Sequence, residues 1–280
     1  MPDPTRDYLS LLLNQYWFAP PVALWRAIEL RVLAEESFPR PILDLGCGDG
    51  LIAEVLFAGE PPIEVGFDPW FGQVQKAPTT CAYREVQQAL GDSMPYPDAS
   101  FQTVLSNSVL EHIPQLGPVL AEAARVLAPG GRLIATVPSD AFRRLLGGYR
   151  DHLARGDRRA AEAYADGVDR WLEHHRYPTP KAWREMLDDV GLRLTRAQYY
   201  VPRDVVALWD EANISYGLRG KGINLYRWLA SPRLRPLGYQ RWIKRWIVRT
   251  LSQRWRQAYE MNVPPDAAGG GLLVIGEKVG

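Results

Sequence analysis

Cysteine is scarce: Cys47 and Cys81 are the only two among 280 residues. Two cysteines cannot build a disulfide framework, and this pair does not have the spacing of a zinc site. Long apolar runs are missing too, so no stretch is expected to cross a bilayer as a helix. Residues 1–10 are polar and include Asp3 and Asp7, which argues against a secretory signal. A reducing, cytoplasmic setting is therefore expected. With 46% hydrophobic residues, a chain of this length can bury its own core without covalent staples.

A third scarcity is local. Residues 219–259 contain eleven Lys and Arg and no Asp or Glu. Because the whole chain is only +1, everything outside that stretch sums to ten negative charges. Such segregation points to an anionic partner that the net charge hides.

Patterning divides the chain as follows. Apolar spacing predicts helix over 5–36, split by Pro20-Pro21, with Pro39 and Pro41 ending this N-terminal cap (1–38). Short apolar runs then alternate with helical segments. Strands are expected at 41–45, 63–67, within 85–90, at 101–105 and at 132–137, with helices at 51–58 and 116–127. Residues 39–140 thus read as an α/β core with a mostly parallel, doubly wound sheet. A polar helical lid is expected over 141–178. The core resumes over 179–202 with a helix ending at Gly191 and a sixth strand. A basic, tryptophan-rich insertion fills 203–262, and a last strand lies within 263–280.

Three motifs carry chemistry. The first is Ile42-Leu43-Asp44-Leu45-Gly46-Cys47-Gly48-Asp49-Gly50. Its glycines permit a sharp turn and close ligand approach at the start of a helix. Alone, this turn could serve NAD, FAD or SAM, or be a tight connection and nothing more. The second is Asp68, closing the second strand, where a carboxylate can accept both hydroxyls of a ribose or cap a helix. The third runs from Gly91-Asp92-Ser93-Met94-Pro95 through Ser106-Asn107-Ser108-Val109-Leu110-Glu111-His112-Ile113 to Ala124-Arg125-Val126-Leu127-Ala128-Pro129-Gly130-Gly131.

Taken together, over about residues 40–138, these motifs resemble the class I SAM-dependent methyltransferases, in the branch called methyltransferase type 11. An NAD-binding fingerprint would need its third glycine at Leu51. The resemblance implies a Rossmann-like seven-stranded sheet and S-adenosyl-L-methionine (SAM) as cofactor. It implies that Asp44 holds the methionine amino group and that Gly46, Cys47 and Gly48 line that part. Asp68 would take the ribose hydroxyls, and Asp92 the adenine amino group with Ser93 and Met94 beside the ring. Asn107 would stand near the sulfonium. A ring of acids suits a ligand carrying sulfonium and ammonium charges, and no phosphate-binding Walker lysine is present.

Methyl transfer from SAM is an in-line displacement, so a base matters only where the acceptor must lose a proton. His112 is the first candidate. His174, His175 and Tyr177 are the second set; adjacent histidines cannot both face inward, and His175 is taken with His112. Some quinone-pathway relatives bind a divalent metal here through two glutamates and a histidine. Ser108 stands where the first glutamate would be, so no obligatory metal is expected.

In 239–255, Tyr239, Trp242, Ile243, Trp246, Ile247, Leu251 and Trp255 fall on one broad helical face flanked by basic residues. A lid over the acceptor pocket, peripheral contact with an anionic membrane, and nucleic-acid contact all fit this pattern. The expected activity is methyl transfer to an O, N or C atom of a small-molecule or lipid-like acceptor. Alternatives are an RNA methyltransferase, disfavoured because no Asn/Asp-Pro-Pro-Tyr follows the fourth strand, and a non-catalytic SAM-binding protein.

Overall fold

The computed structural model describes residues 1–219, 231, 238 and 240–280. Its centre is a seven-stranded sheet: β1 (Ile42–Leu45), β2 (Ile63–Asp68), β3 (Tyr83–Gln88), β4 (Phe101–Asn107), β5 (Leu127–Pro138), β6 (Leu192–Tyr199) and β7 (Gly271–Lys278). The strand order is β3-β2-β1-β4-β5-β7-β6. β7 runs antiparallel to both neighbours, while the β1–β5 pairs are parallel. The expected Rossmann-like, mostly parallel sheet is therefore present.

Ten helices flank it in chain order before the basic segment. They are α1 (Tyr8–Gln15), α2 (Pro20–Leu33), α3 (Leu51–Leu56), α4 (Phe71–Val74), α5 (Leu116–Val126), α6 (Phe142–Leu145), α7 (Gly147–Ala154), α8 (Arg158–Leu172), α9 (Pro180–Asp188) and α10 (Arg203–Ser215). A long helix, Gln240–Glu260, follows. Local chemistry sets several starts. Asp7 accepts from the Ser10 N–H, Asp157 from Ala160 and Thr179 from Ala182, each a side-chain N-cap. Pro20 opens α2, where a missing N–H costs nothing.

Alternation along the strands builds two cores, one per face. Leu43, Phe67, Val104 and Leu133 pack with Leu120 and Val126 of α5 and Trp183 and Leu187 of α9. Ile42, Leu105 and Ile134 face the other way and share a core with α1 and α2. Phe142, Ala161, Ala165, Val205 and Trp209 join that second core, as do Ile247, Leu251 and Trp255 of the long helix. The N-terminal helices, α6, α8, α10 and the long helix thus share the core on one face. A buried polar knot ties them: Asp210, 1% exposed, accepts from the Gly148 N–H and Tyr164 hydroxyl and pairs with Arg219 at 2.7 Å.

Some expectations shift. β3 starts and ends two residues earlier than read, because Leu90 leaves the sheet and is 60% exposed. β5 begins before the Pro129-Gly130-Gly131 turn, with an irregular register opposite Phe101 and Thr103. The single apolar face read for 239–255 is divided. Ile247, Leu251 and Trp255 are buried, whereas Trp242 and Trp246 are 75% and 65% exposed. One face of a helix this regular covers a limited arc, and the seven positions span more than that. Tyr239 lies outside the described residues.

The buried side of the long helix supplies core to α1. Trp255→Ala, at a site 2% exposed, should lower unfolding free energy by about 3–5 kcal/mol. Urea denaturation followed by far-UV circular dichroism checks this; a change under about 1 kcal/mol would show that the helix is not part of the cooperative fold.

Candidate active site

Parallel strands put their carboxyl ends on one edge, and ligands bind where strand order reverses, here between β1 and β4. Asp44 stands opposite Gly66 on β2 and Leu105 on β4, so Asp44, Asp68 and Asn107 end three neighbouring strands on that edge. A cavity of about 1050 Å³ opens there. It is lined by Asp44, Gly46, Cys47, Gly48, Asp68, Asp92, Asn107 and His112, all named from the sequence. Arg26 and Tyr16 from the N-terminal cap, and Glu173 from the end of α8, line it as well.

Backbone geometry shapes the rim. Gly46 has φ +78°, and a Cβ there would lie 2.5 Å from the Val109 side chain, so only glycine fits. Gly66 allows another approach: the Tyr83 ring lies across β2 where a Cβ would come within 2.8 Å. From there the Tyr83 hydroxyl donates to Asp44 Oδ2 at 2.7 Å. No described donor meets Asp44 Oδ1. Burial pushes the Asp44 carboxyl up to about 6, the Tyr83 hydrogen bond opposes this, and the nearby Asp68 charge adds to it. A ligand cation would restore the charged form.

Asp68 Oδ2 accepts from the Gly48 N–H at 3.1 Å and Oδ1 from the Trp70 N–H at 2.8 Å. Each oxygen keeps a lone pair for a further donor. The helix-cap reading fails, because α4 has Trp70 at its N-cap and no side-chain cap. Asp92 is exposed on the cavity wall after β3.

Three named residues are placed elsewhere. Met94 is 4% exposed in the core with Phe67 and Phe101, its N–H donating to Glu122, and does not line the cavity. Ser93 is exposed and also off the lining. An isolated backbone bridge joins Leu90 and Ser93. His175 is exposed, and only its backbone N–H is engaged, by the Glu111 carbonyl. His174 is the inward member. Its Nδ1 meets the Tyr177 hydroxyl at 3.0 Å, and that hydroxyl donates to Asp169 at 2.6 Å. Burial, then the neighbouring His112, lowers His174 to about 3.

His112 follows β4 in a single 3₁₀ turn, Leu110–His112. Its Nδ1 faces the Glu173 carbonyl at 3.2 Å, a contact that puts the proton on Nδ1 and leaves the Nε2 lone pair free. Burial lowers its pKa, so the ring is neutral at pH 7. Glu111 lies beneath, with Oε1 3.9 Å from His112 Nε2. It is 3% exposed, Oε2 has no hydrogen-bond partner, and burial raises the carboxyl to about 8. Glu111, His112 and His174 offer ligand atoms within 4.8 Å of one another, a set that could hold a metal ion. The sequence reading considered position 108; the third donor comes instead from position 174, a pairing no local spacing signals.

The cap contributes what sequence reasoning missed. Glu29 of α2 is fully buried and accepts from Trp25 Nε1 at 3.1 Å, Arg26 Nη1 at 2.7 Å, Ser108 Oγ at 2.5 Å and the Tyr200 hydroxyl at 3.0 Å. Ser108 sits at φ +49°, a strained backbone held by that bond. Asn107 spends its side chain in the same network, donating to Thr136 Oγ1 at 2.6 Å and accepting from Arg26 at 3.3 Å. Arg26 Nε and Nη2 meet no described acceptor and are left toward the cavity.

Comparison with known proteins agrees with this geometry. The seven-stranded sheet matches the Rossmann-like fold of solved SAM-dependent methyltransferases. Residues 43–135 match the family described as methyltransferase domain. The chain is 37% identical over 98 residues to 27-O-demethylrifamycin SV methyltransferase of Amycolatopsis mediterranei, covering 33% of this chain and 36% of that protein. It is 33% identical over 167 residues to an uncharacterized methyltransferase of Mycobacterium sp. (strain JLS), covering 58% and 62%. The chain thus spans less than two thirds of these relatives' lengths. Geranyl diphosphate C-methyltransferase of Streptomyces coelicolor shares the fold at TM-score 0.57 and 11% identity, over 93% of this chain and 84% of that one.

The raised Asp44 carboxyl makes a pH prediction. Below about pH 6 the folded protein protonates Asp44, and a cationic ligand must displace that proton. SAM affinity should be flat above pH 7 and fall toward tenfold per unit below about pH 6. Titration calorimetry between pH 5 and 8 checks it; affinity independent of pH there would remove Asp44 from cation binding.

Proposed function

We propose that this protein transfers the methyl group of SAM to an O, N or C atom of a small-molecule or lipid-like acceptor. The observation that carries the reading is the convergence of Asp44, Asp68 and Asp92 on one cavity beside the Gly46–Gly48 turn. The donor set fits: Asp44 would hold the ammonium, Asp68 the ribose hydroxyls and Asp92 the adenine amino group. Arg26, with its unengaged Nε and Nη2, would face the methionine carboxylate. When bound, the cofactor supplies a methyl group already activated by its sulfonium.

The chain's own task is then to position the acceptor and take its proton. The cavity continues past His112 to Ile113, Pro114 and Gln115, where an acceptor would lie. His112 has its Nε2 lone pair available and is neutral at pH 7, the state a general base needs. Burial holds Glu111, 3.9 Å from that nitrogen, toward its neutral carboxyl. No step requires a metal. An RNA acceptor is disfavoured because Asp44, Asp49, Asp68, Asp92 and Glu173 line a cavity with Arg26 as its one described cation of the Lys/Arg type.

Asp68→Ala should weaken SAM by one to two orders of magnitude in a calorimetric titration, since paired ribose contacts are lost. Wild type binding no SAM would end the methyltransferase reading, and an intact pocket without turnover of labelled SAM in host lipid and metabolite extracts would favour a non-catalytic binder. His112→Gln should cut kcat about 10²–10⁴-fold at unchanged SAM affinity, for an acceptor that must lose a proton. EDTA should leave the wild-type rate unchanged; a chelator-sensitive rate restored by a divalent ion would assign Glu111, His112 and His174 to a metal instead.

A further inference from the structure

The long helix Gln240–Glu260 has a role that the cavity does not explain. None of its residues lines the cavity, so it is not a lid over the acceptor. Its inner side, Ile247, Leu251, Trp255 and Tyr259, is buried against the N-terminal helices. Its outer side presents Trp242 and Trp246, one turn apart, 75% and 65% exposed. Arg241, Arg245 and Arg249 are exposed at intervals of four, Arg249 beside the tryptophans and Arg245 and Arg241 along one flank, and no acid occurs before Glu260.

At 100° per residue, Trp242, Arg249 and Trp246 fall within about 60° of each other, opposite Leu251. Exposed tryptophans are costly in water unless something covers them, and here cations surround them. An indole has an apolar body and a polar N–H, which suits the headgroup–acyl boundary of a bilayer. Arginine beside it suits lipid phosphates. The helix has 21 residues and so is about 30 Å long, a convex rod that a flat surface can meet along its length.

We propose that the outer face of Gln240–Glu260 docks the protein on an anionic lipid bilayer, with Trp242 and Trp246 at headgroup depth and Arg241, Arg245 and Arg249 on lipid phosphates. This surface stands apart from the methyl-transfer reading and does not rest on it. Nucleic acid fits it less well. Stacking sites for bases lie in grooves, whereas these indoles stand on a convex rod, and the acidic cavity would repel a phosphate backbone. Helix orientation also matters: the buried half is anchored in the core, so the helix is displayed as a fixed ridge without having to fold on the membrane.

Flotation of the full chain with vesicles tests this. Phosphatidylcholine vesicles containing a third phosphatidylglycerol should carry the protein, and pure phosphatidylcholine should not. Raising salt from 50 to 500 mM should release it. Trp242→Ala with Trp246→Ala should weaken partitioning at least tenfold. Arg241→Gln, Arg245→Gln and Arg249→Gln together should weaken it about 100-fold, near fivefold per cation. SAM titration of each variant reports a preserved fold, because none of these residues touches the cavity. No flotation at low salt, equal flotation on both vesicle types, or binding untouched by both variant sets would overturn the proposal. A gel shift of RNA by a protein that does not float would also overturn it, and the wild-type lipid and salt comparisons stand even if a variant fails to fold.

Discussion

One buried carboxylate holds the site together. Glu29 belongs to the N-terminal cap, yet its partners lie on four different parts of the chain: α2 itself, the end of β4, the turn after it and Tyr200 just past β6. A carboxylate with no exposure is tolerated only when its lone pairs are filled and its charge is matched. Arg26 supplies the charge, and hydroxyl and indole donors fill the rest. That requirement forces α2 to lie over the carboxyl ends of the central strands. Removing one partner would strand the other in the interior, at about 3–5 kcal/mol for a buried ion pair. The cap is therefore a wall of the cavity, and Arg26 reaches it because Glu29 fixes the helix.

The cavity's electrostatics follow a different logic from phosphate-binding α/β folds. Acids close the neighbouring strands β1 and β2, and a further acid follows β3. Such a ring is unfavourable on its own, since like charges and burial together push Asp44 toward its neutral form. Tyr83 offsets part of this with a hydrogen bond delivered across β2. Asp44 Oδ1 is left without a described donor, a place that suits a cationic ligand. In the proposed function, ribose, ammonium and sulfonium would account for the donor set, where a nicotinamide dinucleotide would leave the acids facing a pyrophosphate.

The insertions do two jobs that composition merges. Residues of α6, α8 and α10 complete the second core, and Asp210 fastens them through Tyr164 and Arg219. The long helix adds its apolar side to that core and turns its basic aromatic side outward. Both sides carry tryptophan, and only packing separates Trp255 from Trp242. The same separation occurs at the two adjacent histidines. His174 is drawn inward by the Tyr177–Asp169 pair, while His175 is left exposed.

The alternation of strands and helices, the glycine turn and the acids at strand ends were legible from the chain, because a period of two, a period of 3.6 and a Gly-x-Gly-x-Gly break are local properties. Asp44, Asp68 and Asp92 could be read as one set, since parallel strands in this order bring their carboxyl ends together whatever the side chains between them. Arg26, Glu29, the Glu111–His112–His174 grouping and the placement of Met94 could not be read that way. Each depends on which side of a helix or turn meets a distant segment, and that is set by burial and hydrogen-bond satisfaction over the whole assembly. Local pattern thus specified the cofactor edge of the sheet, and tertiary packing decided which residues wall it and which face of the basic helix stays open, because those choices are made by contacts between residues far apart in the chain.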